Sequence, residues 1–172
     1  MSLFLKHSAL FLVYLFLQVF VGNHATLFDV ATPHLFLTFL LMLPMSTAFT
    51  WAILIAFFSG LTLDLLSDGL VKGVHAFSAV FLMSIRDFWV WGTTNRVNYR
   101  GSESTMLQVQ TFPWYLQYMT PMVFIHQLVY YFLDAFTLDH AGYTMLRVVS
   151  STVYTLLFVL SFTLLFHRET KR

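Results

Sequence analysis

The segment from Gly60 to Ala76 reads GLTLDLLSDGLVKGVHA, and it decides how the rest of the chain is interpreted. Asp64 ends a run of 34 residues, Val30 to Leu63, that contains no Asp, Glu, Lys or Arg. A run of that length does not fit a soluble domain. Ionisable side chains at membrane depth are costly and usually face protein or a wet cavity. The stretch therefore predicts membrane helices. The position of the Asp64 carboxylate beside such a long apolar run then needs a physical explanation.

The composition of the whole chain agrees with a membrane protein. It has 172 residues, of which 58% are hydrophobic and only 10% are charged. An ordinary soluble domain carries about 25% charged residues. A membrane-spanning helix needs about 20 apolar residues, so six of them leave little chain for anything else. We expect an all-α integral membrane protein with one membrane domain over residues 1–172.

Apolar runs and helix breakers predict a bundle of six transmembrane helices. The first is expected to be a retained signal anchor, because no small-x-small cleavage site follows it. Span 33–44 is short, and an arrangement with five crossings is the alternative. The predicted spans are approximately 8–22, 33–44, 50–66, 73–90, 113–136 and 143–166, with a cytoplasmic loop over 91–112.

The distribution of basic residues predicts the orientation. With six spans and a cytoplasmic N-terminus, seven of the nine Lys and Arg residues fall inside, whereas five spans give six against three. We therefore expect a multi-pass membrane protein with both termini in the cytoplasm. The residues placed inside are Lys6, Arg86, Arg96, Arg100, Arg168, Lys171 and Arg172.

Several function classes find no support in the chain. The net charge of +1 offers no basic face for nucleic acid, and the absence of cysteine excludes disulfides and thiolate chemistry. There is no glycine-rich phosphate loop, no His-Glu-x-x-His motif and no recognisable Ser–His pairing. We predict no catalytic site, no cofactor and no metal centre.

Gly60, Asp64 and Asp68 recur every four residues and therefore share one helical face. Gly60 predicts a close contact between helices. Asp64 is either a buried polar contact to a neighbouring helix or partner, or an acid solvated among lipid headgroups. Asp68 belongs to a Ser-Asp-Gly turn, which predicts a solvated turn residue.

The residues that open the fourth helix, Gly73-Val-His75-Ala76, predict a second half of this contact. Gly73 and Ala76 are small enough for tight packing against the third helix. The His75 side chain either pairs with Asp64 or makes a hydrogen bond of its own. We regard Gly60, Asp64, Gly73, His75, Ala76 and Arg86 as helix-packing or partner-docking candidates.

Three further side chains have alternative interpretations. Arg86 is a positive-inside flank or an inner docking point for another protein. Asp134 and Arg147 form an ion pair on the outer side, since a pair shares the cost of burial, or both extend to water. A proton relay through His126 is a third hypothesis for that region.

The order and spacing of these motifs resemble the bacterial rod shape-determining protein MreD family. The similarity begins with Ala31-Thr-Pro33 entering a Phe/Leu-rich helix that ends in Leu43-Pro44. It continues with Gly60-Leu-Thr-Leu-Asp64, then Gly73-Val-His75-Ala76, and a helix that closes at Arg86.

The resemblance implies a six-helix bundle similar to the substrate-binding subunits of energy-coupling-factor transporters. It implies a non-catalytic regulator of cell shape and lateral peptidoglycan synthesis, located in the bacterial cytoplasmic (inner) membrane. The expected partner is an MreC-like protein, with MreB, RodA and a class B penicillin-binding transpeptidase as indirect partners. The matching residues, Gly60, Asp64, Gly73 and His75, are then expected to shape the fold and the partner-facing surface.

The alternative hypothesis is a transporter subunit that binds a small, vitamin-like solute. It rests on the fold shared with those subunits and on a possible outer-side cluster. That predicted cluster comprises Asp64, His75, His126, Asp134 and Arg147.

Overall fold

The computed structural model describes residues 3–44, 47–67, 71–93 and 112–167, and within them all regular secondary structure is helical. The prediction of an all-α protein is therefore confirmed. Six α-helices lie in the described parts, with a π-helical turn, Gln18–Gly22, that continues the first. They are α1 (Leu3–Leu17), α2 (Phe36–Leu41), α3 (Phe49–Leu66), α4 (Val74–Thr93), α5 (Phe112–Ala135) and α6 (Ala141–His167).

Three of the sequence predictions fall wholly or partly outside this range. Asp68, residues 94–111 of the predicted loop 91–112, and residues 168–172 of the basic tail are outside the described residues.

Among the described residues, two helices are long and apolar enough to cross a membrane, judged by length and composition. They are α3 and the Ala141–Phe162 part of α6. Only 33% and 28% of their apolar windows are buried inside the protein. The core helix of a soluble protein would be mostly buried, so these helices differ from that class in the direction expected for lipid-facing helices.

Helices α3 to α6 pack against their neighbours in the chain, α3 on α4, α4 on α5 and α5 on α6. The breaks between them have local causes. Gly73 has a φ of +94°, which turns the chain just before α4 begins. Phe136 has a φ of +52° directly after the last residue of α5.

The predicted span 33–44 is helical only over the six residues of α2. A helix of that length is about 9 Å long, against about 30 Å for the hydrocarbon core, so α2 cannot cross a bilayer alone. All seven residues from Leu35 to Leu41 are buried among the other helices. The chain reaches α2 through a non-helical segment that starts at Ala31.

Side chains from α6 and from the π-helical turn after α1 replace the missing backbone partners of this segment. The backbone N–H of Thr32 donates to Ser151 Oγ at 3.0 Å, and that of His34 donates to Thr155 Oγ1 at 3.1 Å. Gln18 accepts from the N–H of Leu35 and donates to the carbonyl of Pro33. Buried backbone groups need such partners, because each one left without a hydrogen bond costs free energy of folding.

The contacts define two ends of the bundle. At the histidine end, Asp64 meets His75, and the segment before α2 meets α6. At the arginine end, Arg86 meets Leu43. His75 and Arg86 are eleven residues apart on α4, roughly 16 Å along the helix. The segment from His34 to Leu43 therefore runs from the histidine end towards the arginine end.

Candidate functional site

Asp64 lies in the interior of the histidine end, with 1% of its surface exposed. Its carboxylate accepts hydrogen bonds from the backbone N–H groups of His75, at 3.1 Å, and Ala76, at 2.9 Å. The first N–H groups of a helix have no partner within it, and an anion at that end is favourable. The structure thus places Asp64 in a buried contact to a neighbouring helix: it caps α4 from α3.

Gly60 lies one turn before Asp64 and touches the backbone of α4. A Cβ atom there would lie 2.5 Å from Ala76 Cα and 2.6 Å from the carbonyl carbon of His75. Any larger residue would therefore have to push the two helices apart. Gly73 has a different requirement, because a Cβ there would meet nothing within 4 Å and only its positive φ favours glycine.

Asp64 accepts from the backbone of His75 and Ala76, and the His75 imidazole packs on Tyr130, with 4.5 Å between the ring centroids. The predicted contact between residues 64 and 75 is therefore present, but the backbone of His75 makes it. The alternative, a hydrogen bond of the imidazole's own, is not found for Nδ1, which has no partner among the described residues.

Three histidines meet in the interior, and we call them the histidine cluster: His34, His75 and His126. The ring of His34 lies 5.5 Å, centroid to centroid, from each of the other two. Tyr130 covers the cluster at 4.7 Å from His34. All three histidines are buried, and the most accessible of them, His75, is only 6% exposed.

Ser78 links the start of α4 to His126. Its Oγ lies 2.7 Å from the carbonyl oxygen of Val74, 3.2 Å from that of His75 and 3.2 Å from His126 Nε2. The tautomer of the imidazole decides whether Oγ or Nε2 is the donor in the last of these contacts.

Four buried polar atoms around the cluster have no hydrogen-bond partner among the described residues. They are the Nδ1 atoms of His34, His75 and His126, and Oε1 of Gln127. Buried polar groups are nearly always hydrogen-bonded, so these four atoms are exceptions. Among the described residues, no group of three or more His, Asp or Glu side chains is arranged to hold a metal ion.

Asp134 and Arg147 lie 3.7 Å apart at the histidine end, at the distance of an ion pair. The Arg147 guanidinium also lies over the ring of Tyr131, 4.5 Å from its centroid. Both charged side chains are about 30% exposed. A pair so accessible to water contributes at most about 1 kcal/mol. The predicted cluster is thus divided: His75 and His126 join the histidine cluster, while this pair lies nearer the surface.

Arg86 is 2% exposed and lies at the arginine end, inside the bundle. Its guanidinium donates to the carbonyl of Leu43 and to the Tyr118 hydroxyl at 3.2 Å, and that hydroxyl donates to the carbonyl of Leu41 at 3.4 Å. A cation next to the last carbonyls of a helix satisfies groups that have no partner within the helix. Arg86 was a candidate for helix packing or for docking a partner. Its contacts lie within the bundle, so they are those of a helix-packing residue.

Sequence reasoning missed the polar residues that hold the segment before α2. Ser151 and Thr155 are one helical turn apart on α6, so they could have been noticed as a polar stripe in an apolar helix. Gln18 was visible as an amide within an apolar run. His34 gave no signal, because its neighbours come from helices distant in sequence.

The fold and the site define an all-helical bundle with two helices of membrane-spanning length and a polar interior at one end. No protein-family model, curated protein or solved structure matches the chain.

Proposed function

We propose that this chain is a multi-pass membrane protein, and the apolar residues on its outer surface support this most directly. Monomeric soluble proteins rarely expose large apolar patches. Here every long helix whose side chains are described over most of its length, except α5, presents large apolar residues outward. They include Leu12 and Phe16 of α1, Phe57 and Phe58 of α3, Phe77 and Phe81 of α4, and Val149, Val153 and Leu157 of α6.

We propose six crossings, the second made by residues 31–44. Non-helical backbone at membrane depth is tolerated where protein surrounds it, and this segment is buried and held by α1 and α6. Its course from the histidine end to the arginine end supports a crossing in spite of the shortness of α2. With six crossings both termini lie on the same side, which the basic residues favour as the cytoplasm.

Cysteine labelling tests this topology, since the chain has no native cysteine. His24→Cys reports on the histidine end, before this segment, and Ala48→Cys on the opposite end, after it; both positions are exposed. An impermeant maleimide should label His24→Cys in intact cells and Ala48→Cys only after permeabilisation. Labelling of both in intact cells would exclude a crossing by residues 31–44.

For the biological role, we infer a non-catalytic component of the cell-elongation machinery, as the resemblance to MreD implies. The observation that carries this is the corner formed by Gly60, Asp64 and Ala76. The acid in the motif is bonded to the backbone of α4, which supports a structural role for it. The partner on this hypothesis is an MreC-like protein, and through it MreB, RodA and a class B penicillin-binding transpeptidase.

Depletion of the protein in its own bacterium tests this role. Rod-shaped cells should become round, and the tagged protein should co-purify with an MreC-like protein. A plasmid copy carrying Asp139→Ala, at an exposed loop residue, should restore the rods, while Asp64→Ala should not. Depleted cells that keep their rod shape would contradict the proposal.

The histidine cluster favours a second candidate, a subunit that binds a small polar solute. Its four unpartnered polar atoms would be satisfied by such a molecule. Native mass spectrometry of the protein in mild detergent should then show a bound mass, and His34→Ala should release it. His24→Ala, at an exposed histidine, is the control. A spectrum with the bare chain alone would remove this candidate.

A further inference from the structure

Two loops at the histidine end present aromatic side chains to the outside. Phe28 is 92% exposed and Phe136 is 76% exposed, although both are large apolar residues. Leu27 and Leu138 beside them are exposed as well. An acid follows each pair closely, Asp29 in the first loop and Asp139 in the second, and both acids are exposed.

The backbone of both loops is in a conformation that a phenylalanine rarely adopts. Phe28 and Asp29 have φ values of +54° and +55°, inside a turn that is closed by backbone hydrogen bonds between Leu27 and Ala31. Turns with two positive φ values favour Asn-Gly. Phe136 has a φ of +52° at the position after a helix where glycine is usual. In both places the chain carries a large ring where a smaller residue would relax the backbone.

Exposed apolar stripes lead from the helices to both loops. On α1 and its π-helical turn, Leu12, Phe16 and Phe20 follow one another at intervals of four residues towards the first loop. On α6 the stripe starts just after the second loop, with Leu146, Val149 and Val153. The loops therefore continue the same surface that we assign to lipid.

We propose that Phe28 and Phe136, together with Leu27 and Leu138, insert into the interfacial layer of the lipid bilayer at the histidine end. Asp29 and Asp139 then stay in the water above, and the inserted rings set the depth of the loops. Apolar side chains bind well at the boundary between headgroups and acyl chains. This inference rests on the proposed membrane location.

Spin labels in lipid nanodiscs of phosphatidylcholine and phosphatidylglycerol test the insertion. Single-cysteine variants Phe28→Cys and Phe136→Cys carry a nitroxide, and collision rates are measured with oxygen, which partitions into lipid, and with a water-soluble nickel chelate. Phe57→Cys and Val153→Cys give the lipid reference, and His24→Cys gives the water reference; all three positions are exposed. The loop labels should show oxygen-to-nickel collision ratios well above that of His24→Cys.

The outcomes separate this inference from the proposed location. If the helix labels report lipid and the loop labels report water, the insertion is wrong and the membrane location stands. If all labels report water, the location itself is wrong. Loop labels that neither reagent reaches would show a protein contact, between copies or with a partner, and would also overturn the insertion.

An asparagine variant separates anchoring from backbone strain, because asparagine adopts a positive φ readily and has no apolar side chain. Phe136→Asn should keep or raise the unfolding temperature in detergent. In the same background, a label at Leu138→Cys should lose oxygen collisions and gain nickel collisions. An unchanged collision ratio would mean that the ring does not set the depth of the loop.

Discussion

Asp64 shows how the partners of a carboxylate decide between reactivity and structure. An acid inside an apolar bundle suggests a relay or an ion site, yet both of its oxygens accept from the backbone of α4. Its negative charge lies at a helix N-terminus, where the helix dipole stabilises it. The sequence predicted the contact between these residues, because the i, i+4 spacing aligned Gly60 with Asp64. It could not predict which atoms meet.

The first prediction concerns Asp64→Ala, which leaves two buried N–H groups without an acceptor. We expect a loss of about 2–5 kcal/mol in the free energy of unfolding, because each unsatisfied buried group costs about 1–3 kcal/mol. Unfolding in detergent, followed by circular dichroism, measures it. Asp139→Ala, at an exposed acid, should change stability by less than about 0.5 kcal/mol. Equal effects of the two variants would mean that the cap contributes little.

A series of glycine variants separates crowding from backbone conformation. Gly60→Ala should be the most damaging, at about 1–3 kcal/mol or more, because its Cβ overlaps backbone atoms of α4. Gly73→Ala should cost about 1 kcal/mol, since it has space and only φ opposes it. Gly142→Ala, in the first turn of α6 with open space, should be neutral or stabilising. A different order in thermal unfolding would contradict this packing.

At the scale of elements, α2 is where sequence reasoning worked least well. Spans 50–66 and 113–136 start and end within one residue of α3 and α5, because long apolar runs with helix breakers contain that information. In residues 33–44 the backbone follows side chains from α1 and α6, which lie far away in the sequence. No local pattern carries that information.

Gln18→Leu tests how the segment before α2 is held. The substitution removes the acceptor of the Leu35 N–H and the donor to the Pro33 carbonyl. We expect a loss of about 2–5 kcal/mol in unfolding free energy, because the Leu35 N–H and the Pro33 carbonyl lose their partner and the Phe36 N–H loses a longer bond to the same oxygen. Gln117→Leu makes the same chemical change at an exposed site of α5 and should have little effect. Similar unfolding temperatures for both variants would show that Gln18 does not hold the segment.

At the scale of the whole molecule, the segment from Ala31 to Leu41 is part of the core although much of it is not helical. The amides of Thr32 and His34 are hydrogen-bonded to α6 and most residues of the segment are buried, so hydrogen exchange in nanodiscs should be as slow there as in α3. Residues 24–29, most of them exposed, should exchange quickly. Thr155→Val should accelerate exchange at His34, because it removes the acceptor of that amide. Fast exchange in the wild-type segment would contradict the buried arrangement.

The bonds between the segment before α2 and α6 also have a consequence for biosynthesis. Ser151 and Thr155 follow their backbone partners by 119 and 121 residues, so the ribosome makes them near the end of the chain. When residues 31–44 leave the ribosome, the acceptors for the N–H groups of Thr32 and His34 do not yet exist. These two hydrogen bonds can form only after α6 has been made, so α6 is the element that completes the packing of this segment.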